Sequence, residues 1–141
     1  MAGRTATAEW KGDLKGGGGR VALGSGAYEG TYSFTSRFED GAGANPEELL
    51  GAAHAGCFSM ALANSLAQAG HVATSVKTTA HVYLGKDDKG FKITHIDLDT
   101  VGDVPGIDQA TFSEFAEKAK VGCIISRALA ANEINLKATL K

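Results

Sequence analysis

Cysteine is scarce in this chain, which holds only Cys57 and Cys123 among its 141 residues. The two lie far apart, so the sequence has neither a CxxC redox motif nor the paired spacing of a zinc ribbon. In a cytosolic protein such cysteines are normally reduced unless they take part in catalysis. The scarcity therefore leaves two interpretations, an inert apolar filler or a working thiol.

An excess of charge of one sign is absent as well, because the formal net charge is −2 at pH 7. Such a balance offers no basic surface for nucleic acid or for an anionic membrane. The chain begins without the apolar core of a secretory signal, so we expect a soluble cytoplasmic protein. Residues 49–69 approach the length of a membrane span, but their Gly, Ala, His, Asn, Ser and Gln content favours burial inside protein.

What the chain does contain is typical of a globular domain. It is 43% hydrophobic and 21% charged, and a chain of this length buries about two-thirds of its unfolded surface. We expect a single domain over 1–141, with an N-terminal β region at about 1–40, a central helix at about 46–70 and a C-terminal β-β-α-β region at about 72–141. This order of elements predicts the α+β class.

Three strands are predicted in the N-terminal region. Residues 4–10 alternate, residues 20–23 form a short run, and residues 28–38 carry the aromatic and Thr residues common in strands. The third strand would place Arg37 at its end. Glycines at 16–19 lack the Lys-Ser/Thr of a phosphate loop, which favours a flexible connector over a nucleotide site.

The strongest local signal is a helix that begins near Asn45. Asn45 can cap it, Pro46 suits its first turn, Glu47 and Glu48 suit its positive end, and Gly70 is a natural left-handed terminator. Its middle is rich in alanine and glycine, so another backbone can approach closely. Because one small domain seldom encloses a helix on every side, we expect a partner subunit to cover part of it.

Beyond Gly70 the hydrophobic pattern changes to a period of two. Residues 75–84 and 91–101 are predicted strands, joined by a polar hairpin loop at 85–90. Asp108 can cap a second helix with an apolar stripe through residues 112–119. Residues 134–140 alternate again, which predicts a final strand.

Cys57 lies in the middle of the predicted central helix. Burial among apolar neighbours disfavours a thiolate, so a nucleophilic Cys57 needs a nearby cation. Arg37 is the candidate, and Glu47 is the acid that can hold its guanidinium in a bidentate contact. Spacing leaves this open, because an arginine on a strand is more often simply exposed.

Cys123 and His54 each permit two interpretations. Cys123 follows Gly122 and is predicted to begin a short helix, whose positive end favours thiol ionisation. His54 precedes Cys57 by three positions, which permits a Cys–His nucleophile, although a histidine among small residues is more often a satisfied core or interface group. A metal site built from the cysteines and the other histidines has no recognised ligand spacing to support it.

Several of these segments together resemble the OsmC/Ohr family, and within it the osmotically inducible protein C branch. The matching segments are Arg37-Phe38-Glu39, NPEELLGAAHAGCFSMAL at 45–62, VPGID at 104–108 and AKVGC at 119–123. The resemblance extends over essentially the whole chain. One departure is Ile124, where the family often has a proline, a residue suited to the first helical position.

The resemblance implies an OsmC-like fold, with antiparallel sheets packed around a long central helix in an intertwined homodimer whose active sites lie at the subunit interface. It also implies a two-cysteine peroxidase without metal or cofactor. In that enzyme Cys57 is the peroxidatic thiol, Cys123 the resolving thiol, Arg37 the cation that stabilises the thiolate and Glu47 its carboxylate partner.

The implied cycle passes from a Cys57 sulfenic acid to a Cys57–Cys123 disulfide, which an external dithiol reduces. The resemblance suggests that this dithiol is lipoyl-linked. A pocket that includes Leu50, Phe58 and Met60 would favour organic hydroperoxides over hydrogen peroxide. The expected role is defence against oxidative or osmotic stress.

Two other classes of function stay open. A cysteine hydrolase would use Cys57 with His54, but nothing in the sequence marks an oxyanion hole or a third catalytic member. A non-catalytic stress protein that binds a small molecule would simply bury both thiols.

Overall fold

A computed structural model describes every residue from Met1 to Lys141. The chain divides into two compact units, Met1–Leu49 and Leu50–Lys141. The elements are two three-stranded sheets, one long helix and three shorter helices, which confirms the α+β class. That the whole chain forms one domain stays a prediction.

The first unit contains a three-stranded antiparallel sheet. Its strands are β1 (Ala6–Lys11), β2 (Gly18–Leu23) and β3 (Glu29–Tyr32). Gly19 pairs with both Trp10 and Tyr32 across the sheet, and a side chain at Gly19 would collide with both rings. The glycine run at 16–19 therefore provides a turn and the start of β2.

Residues 28–38 do not form the single strand that the sequence predicts. β3 ends at Tyr32, and Phe34–Phe38 forms a short helix, α1. Ser33 and Ser36 make a reciprocal capping box, in which each hydroxyl accepts from the backbone N–H of the other residue. This local bonding satisfies two helix-end donors and outweighs the strand propensity of the aromatic residues. Arg37 consequently lies on a helix and not at a strand end.

The second unit contains the sheet β4-β5-β6. Its strands are β4 (Ser75–Asp87), β5 (Gly90–Asp103) and β6 (Glu133–Leu140). β4 and β5 form an antiparallel hairpin, as predicted, but β6 runs parallel to β5 and departs from the expected antiparallel pairing. The reason is the crossover through α3 (Gln109–Gly122) and α4 (Ile124–Ala128), which returns the chain to the end of the sheet where β5 began.

The long helix, α2 (Pro46–Gln68), has the predicted ends. Asn45 accepts from the backbone N–H of Glu48 at 2.8 Å. Gly70 adopts a φ of +89°, and the His71 N–H reaches the Leu66 carbonyl at 2.8 Å. The last contact is the long hydrogen bond of a Schellman-type helix end, which the glycine permits.

One face of α2 lies in the core of the second unit. Its fully buried side chains Phe58, Leu62 and Leu66 belong to one cluster with residues of β5 and α3, namely Ile96, Leu98, Phe112, Ala116 and Ala119. By length and composition alone α2 also qualifies as a candidate membrane span. Its buried face is the arrangement found in the core helix of a folded domain.

Candidate active site

Arg37 and Glu47 form the ion pair that the sequence predicts. Arg37 Nη2 donates to Glu47 Oε1 at 2.8 Å, and Arg37 Nε lies 3.3 and 3.2 Å from the two carboxylate oxygens. The Glu47 side chain is only 12% exposed, against 38% for Arg37. Two guanidinium nitrogens thus hold one largely buried carboxylate, a geometry that fixes the direction of the cation.

Local bonding around Ser36 explains why these two side chains meet. The Ser36 hydroxyl donates to the Ala44 carbonyl at 2.8 Å, and the Asn45 amide donates to the Ser36 carbonyl at 3.1 Å. α1 is therefore tied to the segment that caps α2. Sequence reasoning missed Ser36, which is 6% exposed; its signal was the Ser-x-x-Ser spacing with Ser33.

Cys57 is a half-buried free thiol in the middle of α2. It packs against the core cluster of the second unit, to which Cys123 also belongs. The predicted pocket around it needs a correction. Phe58 is fully buried in that core, while Met60 is 76% exposed, so the two do not line a common cavity.

Cys123 is a free thiol that is only 2% exposed. It caps α4, as predicted, because its Sγ accepts from the Ser126 N–H at 3.3 Å. The same sulfur donates to the Ser126 hydroxyl at 3.1 Å. Ile124, which stands where the family often has proline, points outward with 76% exposure, so it leaves these contacts intact.

His54 is fully buried, and its Nε2 lies 2.8 Å from the Ser126 hydroxyl. Its Nδ1 has no hydrogen-bond partner, so His54 does not pair with Cys57 as a hydrolase would require. Burial lowers the pKa of the imidazole below its usual 6.5, because it disfavours the charged form. The sequence analysis did not single out Ser126. Its position three residues after Cys123, the predicted start of a helix, could have indicated a contact with the thiol.

His81 and His95 do not join this site. His81 and His95 each stack on Tyr83, at centroid distances of 6.4 and 4.3 Å. No group of three or more His, Cys, Asp or Glu side chains is placed to hold a metal ion.

Comparisons with known proteins show the family of this chain. A family model described as OsmC-like protein matches residues 39–139. Peroxiredoxin OsmC of Escherichia coli strain K12 is 52% identical over 135 residues, which is 95% of this chain and 94% of that protein. The chain belongs to the OsmC-like family.

Solved structures extend the similarity of this OsmC-like chain. An organic hydroperoxide resistance protein from Elizabethkingia anophelis is 26% identical, with a TM-score of 0.71 and coverage of 97% of this chain and 95% of that one. An OsmC-like protein of unknown function from Vibrio cholerae has the same fold at 18% identity, with a TM-score of 0.77 and coverage of 98% and 99%. The family match includes Glu47 and both cysteines, whereas Arg37 lies two positions before it begins.

Proposed function

We propose that this OsmC-like chain is a thiol peroxidase that reduces organic hydroperoxides, and hydrogen peroxide less efficiently. The observation that carries the proposal is a pair of free thiols: Cys123 is buried in the core cluster of the second unit, and the half-buried Cys57 packs against that cluster. The 52% identity to a protein named peroxiredoxin supports a peroxidase-type role. The two-cysteine cycle, the substrate class and the role in stress defence are parts of the proposal.

In the first step the Cys57 thiolate attacks the outer peroxide oxygen. The O–O bond breaks, the alkoxide leaves and takes a proton, and Cys57 becomes a sulfenic acid. Arg37 is assigned the stabilisation of the thiolate, because a fixed guanidinium favours a nearby negative charge. Glu47 is assigned the orientation of Arg37, which the bidentate contact supports.

In the second step Cys123 condenses with the sulfenic acid, which yields a Cys57–Cys123 disulfide and water. An external dithiol then restores both thiols by exchange. A lipoyl-linked dithiol is the proposed physiological reductant.

A homodimer with active sites at the subunit interface is the proposed assembly. Its support is the uncovered face of α2, where Ala52, Ala53 and Gly56 are exposed and Met60 is 76% exposed. Small side chains allow a second helix or sheet to approach closely. A cytoplasmic location stays a prediction.

Peroxide consumption in the presence of excess dithiothreitol tests this function. We expect wild-type protein to consume cumene hydroperoxide faster than hydrogen peroxide and Cys57→Ser to consume neither. His95→Gln, on the exposed stack with Tyr83, is the matched control and should behave as wild type. Full turnover by Cys57→Ser would contradict the peroxidase assignment, and equal rates with both peroxides would contradict the substrate preference.

A further inference from the structure

We propose that His54, acting through Ser126, accepts the Cys123 proton as Cys123 attacks the Cys57 sulfenic acid. His54 is then a positioning residue, since it reaches the reacting sulfur only through the serine hydroxyl. The inference rests on the proposed function, because it concerns the step in which Cys123 resolves oxidised Cys57.

The support is a continuous buried chain of hydrogen bonds. Cys123 Sγ–H donates to Ser126 Oγ at 3.1 Å, and Ser126 Oγ lies 2.8 Å from His54 Nε2. The backbone N–H of Ser126 donates to the same sulfur at 3.3 Å. After the thiol loses its proton, the Ser126 N–H and O–H can therefore both donate hydrogen bonds to the thiolate.

The proposed role requires one tautomer of the neutral His54 imidazole, in which Nε2 can accept a proton. For Ser126 to accept from the thiol and donate onward, Nε2 must be unprotonated and the ring proton must reside on Nδ1. Nδ1 is buried and has no partner. A buried polar atom without a partner is uncommon in folded proteins and needs an explanation, which a role in proton transfer supplies here.

Apart from His54 itself, the only fully buried titratable side chain is the Cys123 thiol, and the half-buried Cys57 thiol packs against the same core. The core-facing side chains of β4, β5 and β6 are apolar residues with Thr78 and Thr100, and those of α3 are Phe112, Ala116 and Ala119. The Cys123 thiol is the only titratable partner in the chain of bonds. Burial is the only cause of the lowered His54 pKa, so the ring is neutral at neutral pH and can take a proton.

The resolving step moves one proton along the chain of hydrogen bonds and exchanges an S–O bond for an S–S bond. The Cys123 proton passes to Ser126 Oγ while the serine proton passes to His54 Nε2. The Cys123 sulfur attacks the Cys57 sulfur, the S–S bond forms and the S–O bond breaks. The thiol sulfur is oxidised and the sulfenic sulfur is reduced. The departing hydroxide takes one proton from solvent and leaves as water, and protonated His54 releases one proton to solvent, so the net products are the disulfide and one water.

Single-turnover oxidation with one equivalent of cumene hydroperoxide separates the two steps. Trapping with dimedone reports Cys57 sulfenic acid, and quenched mass analysis reports the Cys57–Cys123 disulfide. The variants are His54→Gln, which keeps a polar group but takes no proton at neutral pH, and Ser126→Ala, which breaks the chain of bonds. Ser126→Thr retains the hydroxyl, and His81→Gln on the outer face of the sheet is the control.

We expect disulfide formation to slow by about 10²-fold in His54→Gln and in Ser126→Ala, the usual range for loss of general-base assistance. Ser126→Thr and His81→Gln should stay close to wild type. In wild type the rate should fall as decreasing pH protonates His54, and His54→Gln should lose this dependence. Wild-type rates in either slow variant, or a slow His54→Gln with an unchanged pH profile, would overturn the proposal.

Nitrogen NMR of the reduced wild-type protein tests the same inference without a mutation. Histidine labelled with ¹⁵N should show His54 Nε2 unprotonated at neutral pH, and a proton fixed on Nε2 would overturn the proposal. This result does not depend on peroxide chemistry. Absence of both the sulfenic acid and the disulfide in wild type after peroxide would instead overturn the proposed function, so the two failures are distinguishable.

Discussion

At the scale of single residues, the environment of an ion pair separates a candidate catalytic arginine from an ordinary surface one. Arg37 and Arg20 each pair with a glutamate in the first unit. The Arg20–Glu29 pair is exposed on both sides, at 57% and 55%, and exposed pairs contribute little to stability. Glu47 is 12% exposed, so its contact with Arg37 is held more firmly.

Arg37→Ala should slow peroxide attack on Cys57 by about 10²-fold, the typical cost of removing one electrostatic stabiliser from an active site. The reason is that the thiolate loses its assigned cation while the fold keeps its core. The measurement is the rate constant for loss of the Cys57 thiol after mixing with cumene hydroperoxide. Arg20→Ala removes a comparable pair and should react at the wild-type rate; a wild-type rate in Arg37→Ala would disprove the assigned role.

His54 should make folding stability depend on pH. Because burial lowers its pKa in the folded state below 6.5, the unfolded chain binds a proton at mildly acidic pH that the folded chain does not. The free energy of unfolding is therefore unaffected by this group above that range and falls as pH decreases through it. Urea unfolding between about pH 8 and pH 5 should show a steeper loss of stability for wild type than for His54→Gln, and identical slopes would contradict this account.

At the scale of elements, α2 could be predicted from its ends, because Asn45, Pro46 and Gly70 are local signals. The strands of the second unit could likewise be predicted from their alternation of apolar and polar residues. Two features could not be predicted from the sequence. α1 depends on a reciprocal bond between Ser33 and Ser36 that residue propensities do not report, and the parallel direction of β6 depends on where the α3–α4 crossover delivers the chain.

The packing of α3 on the central strand of the second sheet gives a test of this element-level account. Gly102 of β5 lies under the Phe112 ring, and an added methyl group would collide with it. Gly102→Ala should lower the free energy of unfolding by about 1–3 kcal/mol, the usual cost of overpacking a core. Gly18→Ala, an exposed strand glycine with open space around it, should change it by about 0.5 kcal/mol or less; equal effects in urea unfolding would contradict the packing.

At the scale of the whole molecule, the site was predictable only in part. The chemistry of single residues and the family resemblance brought forward Cys57, Cys123, Arg37 and Glu47, and the structure pairs Arg37 with Glu47. The sequence did not indicate the hydrogen bond between His54 and Ser126, because 72 positions separate these residues and only the fold brings them together. The side of α2 that carries Ala52, Ala53, Gly56 and Met60 is exposed in the single chain.

Met60→Glu should weaken self-association, because it places a charge in the centre of the face that the proposed dimer buries. Sedimentation should give wild-type protein twice the mass of one chain and should shift Met60→Glu toward the monomer. Val72→Glu changes a similarly exposed residue outside α2, at 73% exposure, and should stay dimeric. A monomeric wild type would contradict the proposed assembly.

The mass and peptide linkage of reduced protein after one equivalent of an organic hydroperoxide, without added reductant, show directly whether the two thiols form a redox pair. A two-cysteine peroxidase should lose two hydrogens and yield a crosslinked peptide that joins Cys57 to Cys123. Folded protein with both thiols still free would contradict it and would favour a non-catalytic binding protein.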